Sequence, residues 1–114
     1  MLSKENRLKK KRDFEAVFRS GKGFKQDFLF LKVFKNNLDV SRFGFVVGKK
    51  ISKKTTLRNK IKRRMREIIK MNLPGIKKGW DGIIIANRGI ENKGFKEIKE
   101  SMERLLKKAE LINK

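Results

Sequence analysis

Between Lys49 and Arg66 the chain carries ten basic residues and no acidic one. Four of them, Arg58, Arg63, Arg64 and Arg66, are arginines, whose planar forks take a phosphate through two hydrogen bonds and stack on bases. Asn59 sets a neutral donor and acceptor beside Arg58. Like charges one helical turn apart, such as Lys62 and Arg66, cost an isolated helix about 0.2–0.5 kcal/mol per pair. Glu67 is the only acid placed to relieve them. These residues suit the binding of a polyanion, and the arginine and asparagine content favours RNA over a lipid surface. Phe14 and Phe18, one turn apart near Lys10, Lys11 and Arg12, add a candidate stacking edge for single-stranded bases. Spacing alone suits them equally to a core.

Bond-breaking chemistry has far less to work with. The 114 residues hold 33 Lys+Arg against 12 Asp+Glu, a formal charge of +21, with no His, Cys or Tyr. Histidine acid–base catalysis, thiol nucleophiles and His/Cys zinc sites are excluded. Asp13, Glu15, Asp27, Asp39, Glu67 and Asp81 are scattered singly along residues 1–90, so no catalytic and no metal-ligating residue is assigned and a self-sufficient nuclease is disfavoured. A DNA-binding regulator is disfavoured too, because no tight helix-turn-helix precedes the basic helix. A structural RNA-binding protein of the ribosomal kind is the nearest rival. The longest apolar runs, Phe28–Leu31 and Ile83–Ala86, have four residues each, far below the roughly 18 needed to span a bilayer. No membrane partner, no secretory signal and a cytoplasmic location are expected.

The elements that must position these groups follow from periodicity. A single domain over residues 1–114 is expected, with residues 1–8 loose. Phe14, Val17 and Phe18 mark one face of a short helix that begins about Lys10, with Gly21 as a left-handed stop. Phe24–Phe34 alternates like a strand, with Phe28, Phe30, Lys32 and Phe34 on one face. Arg42–Gly48 reads as a second strand, expected to pair with the first as an antiparallel hairpin. Leu57, Ile61, Met65, Ile68 and Ile69 form one stripe of a helix from about Lys54 to Met71, its remaining surface cationic. Asn72, Pro74 and Gly75 end that helix. Ile83–Ala86 then reads as a central parallel strand buried on both faces, reached by a helical crossover. Phe95, Ile98, Met102, Leu105, Ala109 and Ile112 make a last helix with an apolar seam, read as core packing rather than a dimer contact.

The run Arg58-Asn59-Lys60-Ile61-Lys62-Arg63-Arg64-Met65-Arg66-Glu67 resembles the protein component of bacterial ribonuclease P, whose helix carries Arg-Asn-Arg, an apolar residue, Lys-Arg, two residues, then Arg. The resemblance extends through Gly44–Ile51, Arg7-Leu8, Asp13–Phe18 and Asp81–Ala86, covering roughly residues 7 to 106. It implies an α+β, two-layer α/β sandwich in the order α-β-β-β-α-β-α, like the second domain of ribosomal protein S5, with a left-handed β-α-β crossover. That hand is an exception to the usual right-handed rule. It further implies a protein subunit that assists a catalytic RNA, with Mg²⁺ held chiefly by the RNA, in removing the 5′ leader of precursor tRNA. Carried onto this chain, Arg58, Asn59, Lys60, Lys62, Arg63 and Arg66 would face the catalytic RNA. Phe14, Phe18, Lys32, Lys49, Lys50 and Arg88 would line a cleft for the leader. Three positions depart from the pattern. Lys60 replaces the second Arg, Lys32 an aromatic on the sheet, and Asn87 an Arg, with Arg88 beside it.

Overall fold

The apolar run Ile83–Ala86 takes the centre of a four-stranded sheet. In the computed structural model, which describes residues 2–112, β4 (Trp80–Ala86) lies between β2 (Leu29–Lys35) and β3 (Arg42–Val46). With β1 (Lys22–Gln26) outside β2, the strand order is β1-β2-β4-β3. Only β3 and β4 are parallel, as a helical crossover requires. A strand in that position must be apolar on both faces, and Ile83 and Ile84, which point opposite ways, are both fully buried.

That arrangement corrects two expectations. The stretch Phe24–Phe34 is not one strand: it turns at Asp27-Phe28, where Asp27 adopts φ 55, to give the β1–β2 hairpin. Nor do β2 and β3 pair, because β4 inserts between them. The most apolar strand buries more surface in the middle than at an edge, and alternation within β2 and β3 carries no information about that competitor. The element order, with α1 (Lys11–Ser20), α2 (Thr55–Asn72) and α3 (Phe95–Lys108), is α-β-β-β-α-β-α, interspersed with short 3₁₀ turns.

The helices divide between the faces of the sheet. Ile61, Met65, Ile68 and Ile69 of α2 and Ile98, Met102, Leu105 and Leu106 of α3 share one core with Leu29, Leu31, Val33, Phe43 and Ile84. A fully buried aliphatic side chain is worth about 1.5–3 kcal/mol relative to exposure, so the inner stripes hold these helices down. Leu73-Pro74-Gly75 closes α2 in a 3₁₀ turn. On the opposite face α1 packs Val17 against Ile83, with Phe14, Phe34, Val46 and Ile85 around them.

Two local readings also change. Gly21 is extended rather than left-handed. A Cβ there would lie 2.4 Å from the Val17 carbonyl oxygen and 3.0 Å from that of Val33, so glycine is required by close packing. Residues 2–8 are anchored rather than loose: Leu2 is fully buried, the Arg7 side chain donates to the Leu2 carbonyl, and the Leu8 N–H donates to the Phe43 carbonyl. The polar composition concealed an extra rung on the open edge of β3. Residues 1, 113 and 114 of the expected domain lie outside the described residues.

Candidate nucleic-acid interface

With its apolar stripe turned inward, α2 presents its cations outward. Asn59, Lys60 and Arg63 are exposed, and Lys62 is half-buried. Arg58 is partly engaged by its own chain. It donates to the Ser52 carbonyl at 2.9 Å and to the Thr55 hydroxyl at 3.3 Å, which fastens the loop after β3 onto the start of the helix. That loop carries Lys49 and Lys50, both exposed. Arg88 follows β4 at the same end of the sheet, since β4 runs parallel to β3. One end of the molecule therefore gathers Lys49, Lys50, Arg58 and Arg88.

The other face of the sheet holds the aromatic part. From β3 toward β2, α1 crosses the strands: Phe14 stands over Gly44, Val17 over Ile83, and the Phe18 carbonyl accepts a 2.6 Å hydrogen bond from Lys32 Nζ. A Cβ on Gly44 would come within 2.5 Å of the Phe14 ring, so this glycine lets the ring settle onto the strand. Along the β3 edge, Arg7, Lys9, Phe14, Gly44 and Arg66 line a cleft of about 260 Å³. Phe18 is 43% exposed on the same helix. Phe30 lies beside Lys32 on this open face, its ring covering Gly23 of β1.

The position of α1 is held by a charge cluster beneath its first turn. Arg42 donates twice to Asp81, at 2.8 and 2.7 Å, and reaches Asp13 at 3.4 Å. Asp81, only 5% exposed at its side chain, also accepts from Asn36 at 2.8 Å. Its hydrogen bonds raise the Arg42 pKa further above its ordinary high value. Asp13 precedes Phe14, and Arg42 lies two residues before Gly44 on the same side of β3, so the ion pair and the ring contact are adjacent ties between α1 and the strand.

Sequence and structure thus agree on where the three helices lie but regroup the site residues. Arg66, expected with the outer surface of α2, lines the Phe14 cleft. Phe18 and Lys32 sit together one turn further along α1, while Lys49, Lys50 and Arg88 occupy loops at the end of the sheet and do not line that cleft. Arg7, Lys9, Phe30 and Gly44 join the site without a place in the sequence-based expectation. A glycine inside a strand does signal close approach of another group, and Phe30 shares the face of Lys32 by simple alternation. The acids do not build a metal site: among the described residues no three His, Cys, Asp or Glu side chains group to hold an ion. Asp13 and Asp81 are paired with Arg42, and Asp27 accepts from Ser101, the main cause of a carboxyl pKa held below its usual value. Among the described residues no helix is long and apolar enough to cross a membrane.

Comparison with known proteins converges on one family. The Ribonuclease P family model matches residues 2–110. The chain is 38% identical over 111 residues to the ribonuclease P protein component of Clostridium botulinum, covering 96% of this chain and 99% of that protein. Among solved structures it is similar to the RNase P protein of Staphylococcus aureus, with TM-score 0.88 and 32% identity over 95% of this chain and 98% of that one. The Thermotoga maritima RNase P protein gives TM-score 0.82 and 36% identity over 90% and 96%. The cationic helix, the aromatic cleft and the strand order sit in a chain that matches these proteins nearly end to end, and it belongs to the ribonuclease P protein family.

Proposed function

We propose that this chain is the protein subunit of ribonuclease P, acting in the cytoplasm, where it binds the catalytic RNA and the 5′ leader of precursor tRNA and assists removal of the leader. The observation that carries this reading is the separation of two surfaces. The outer face of α2 offers Asn59, Lys60, Lys62 and Arg63, with Arg58 bracing the adjoining loop, to the folded catalytic RNA. The opposite face of the sheet offers Phe14, Phe18 and Lys32 to an unpaired strand, with Arg66 at its edge. Lys49, Lys50 and Arg88 lie at the end of the sheet, where a leader leaving the cleft meets phosphate-binding charge. Two polyanions are held by one small cation, which lowers the repulsion between them.

Hydrolysis of a phosphodiester is commonly served by divalent metals that activate water and stabilise charge on the reacting oxygens. The carboxylates of this chain do not fit such a site, so Mg²⁺ is assigned to the RNA. The protein's own residues bind and orient: arginine forks fix phosphates, Phe14 and Phe18 stack leader bases, and the Arg42 cluster holds α1 at its spacing from the sheet. The test is reconstitution. Purified chain, catalytic RNA and their mixture are assayed on precursor tRNA at low Mg²⁺, with efficient cleavage expected only in the mixture. Specific 5′ processing by the RNA-free chain, surviving nuclease pretreatment, would overturn this division of labour.

A further inference from the structure

The face of the sheet that carries α2 and α3 is not covered to its end. Because α3 stops at Lys108, the described residues leave a groove at one corner, formed by the start of β1, the end of β2 and the start of β4 and walled on one side by Ala109 and Glu110. The pairings Lys22↔Val33 and Lys35↔Trp80 put Lys22, Lys35 and Trp80 on the same face as Val33. A groove of about 550 Å³ results, within the roughly 300–1,000 Å³ of small-ligand sites. Trp80 and Phe24 are half-buried in its wall, and Lys22, Lys35, Lys77 and Lys108 stand exposed around it. Glu110 is the one acid against these four cations.

The details suit a nucleotide. Lys22 Nζ lies 5.5 Å from the centroid of the Phe24 ring, which places a cation beside an aromatic face. Aromatic faces for bases, with lysines spaced around them for phosphates, are the ingredients of sequence-tolerant single-strand binding. The Trp80 wall of the groove is on the opposite face of the sheet from Phe14 and Phe18, although its rim reaches Ser20 at the end of α1 and Phe34 on the α1 side. It is also at the opposite end from Arg58, since Trp80 begins β4 while α2 follows the end of the parallel strand β3.

We infer that the Trp80 groove is a second RNA contact, which takes a short single-stranded segment by stacking a base on Trp80 and binding its phosphates with Lys22, Lys35 and Lys77, while Lys108 Nζ donates to the Lys25 carbonyl at 2.7 Å. This rests on the reading of the chain as an RNA-binding protein and adds a site remote from the cleft and from α2. Trp80 is the only tryptophan and there is no tyrosine, so tryptophan emission reports this groove alone. Hexaadenylate RNA is titrated against the full chain while Trp80 emission is followed, and overall binding is read separately by anisotropy of the fluorescein-labelled oligonucleotide. Saturable quenching is expected. The pair Lys22→Glu and Lys77→Glu should weaken its midpoint about tenfold or more, while Lys4→Glu with Lys96→Glu, equal in charge but outside the groove, should shift it far less. Binding seen by anisotropy without quenching would overturn the groove and spare the RNA reading. Equal weakening by both pairs would reduce the effect to long-range charge and also overturn it. Absence of binding by anisotropy would remove the RNA reading itself.

Discussion

Two helices, α2 and α3, pack against the same face of the same sheet through similar aliphatic stripes, yet their outer surfaces are built on opposite plans. On α3 three acids are interleaved with five bases, and two ion pairs form along it: Lys93, just before the helix, faces Glu97 at 3.9 Å and Lys99 faces Glu103 at 3.2 Å. Exposed pairs of this kind contribute about 0.3–0.5 kcal/mol. On α2 the cations have Glu67 as their only acid on the helix, and none of its basic residues forms an ion pair among those described. A surface that repels itself raises the cost of the folded state and gains from a polyanion. The inner stripes thus encode the fold, whereas the presence or absence of counter-charge on the outside separates scaffold from interface.

The largest expected effect tests that contrast directly. If α2 neutralises on the order of 6–10 phosphates with its flanking loops, affinity for the catalytic RNA should fall roughly a thousandfold or more between about 50 and 200 mM salt. Lys60→Ala with Arg63→Ala should lower the salt slope by about one for each phosphate that is no longer neutralised and leave the melting temperature nearly unchanged. The matched pair Lys96→Ala and Lys107→Ala on α3 should leave binding close to wild type. Filter binding at several salt concentrations separates these outcomes, and equal weakening from the two helices would erase the distinction.

A second test takes a cation that is paired. Arg42→Ala strands the buried Asp81 carboxylate, and breaking such a pair costs about 3–5 kcal/mol at full burial. Since Arg42 is itself partly exposed, a smaller loss than that range, roughly 2–3 kcal/mol, is expected in urea unfolding. Arg42→Ala should therefore damage stability more than any single alanine on the outer face of α2. A variant as stable as wild type would show that α1 is not held from below.

Third in size is the aromatic edge. Phe14→Leu should cost about 1–3 kcal/mol in affinity for precursor tRNA and almost nothing for mature tRNA, as equilibrium binding of the reconstituted particle would show. Equal losses for both ligands would make Phe14 a packing residue only. The smallest effect belongs to another paired charge. The Asp27 carboxyl pKa is lowered by Ser101, so its stabilising bond is fully present above the unfolded carboxyl value and is lost as pH falls through the lower folded one. Ser101→Ala should slightly lower the melting temperature at neutral pH, and the difference should close as pH drops below about 4. A difference that persisted in acid would assign the effect to packing.

How far this molecule is legible in its sequence depends on whether a feature is local. The stripe of α2, the face alternation of β2 and the Ile98–Met102–Leu105 part of the α3 seam survive because periodicity is a property of consecutive residues, whereas Phe95 is 37% exposed and Ala109 and Ile112 lie beyond the end of the helix. The insertion of β4 between β2 and β3 is not legible, since strand order is decided by competition between segments distant in sequence. The α2 cations are readable as a charge run, but the fastening of Arg58 to Ser52 and the place of Arg66 in the cleft depend on rotation and loop path. Leu2, one apolar residue in a polar leader, gives no periodic signal at all. The grouping of Phe14 with Gly44 requires knowing where α1 crosses the sheet, which no spacing within α1 contains.

That last contact bears on how the cleft could change over generations. Its aperture is set by a missing methyl group: any side chain at position 44 would overlap the Phe14 ring, with only 2.5 Å between ring and first added carbon. In the proposed role of the cleft, Gly44 needs no contact with a nucleotide of its own to exert this effect, and a substitution there would change which strands fit while Phe14, Arg7, Lys9 and Arg66 kept their identity. Preference for a substrate can in this way be inherited through a residue that never meets it.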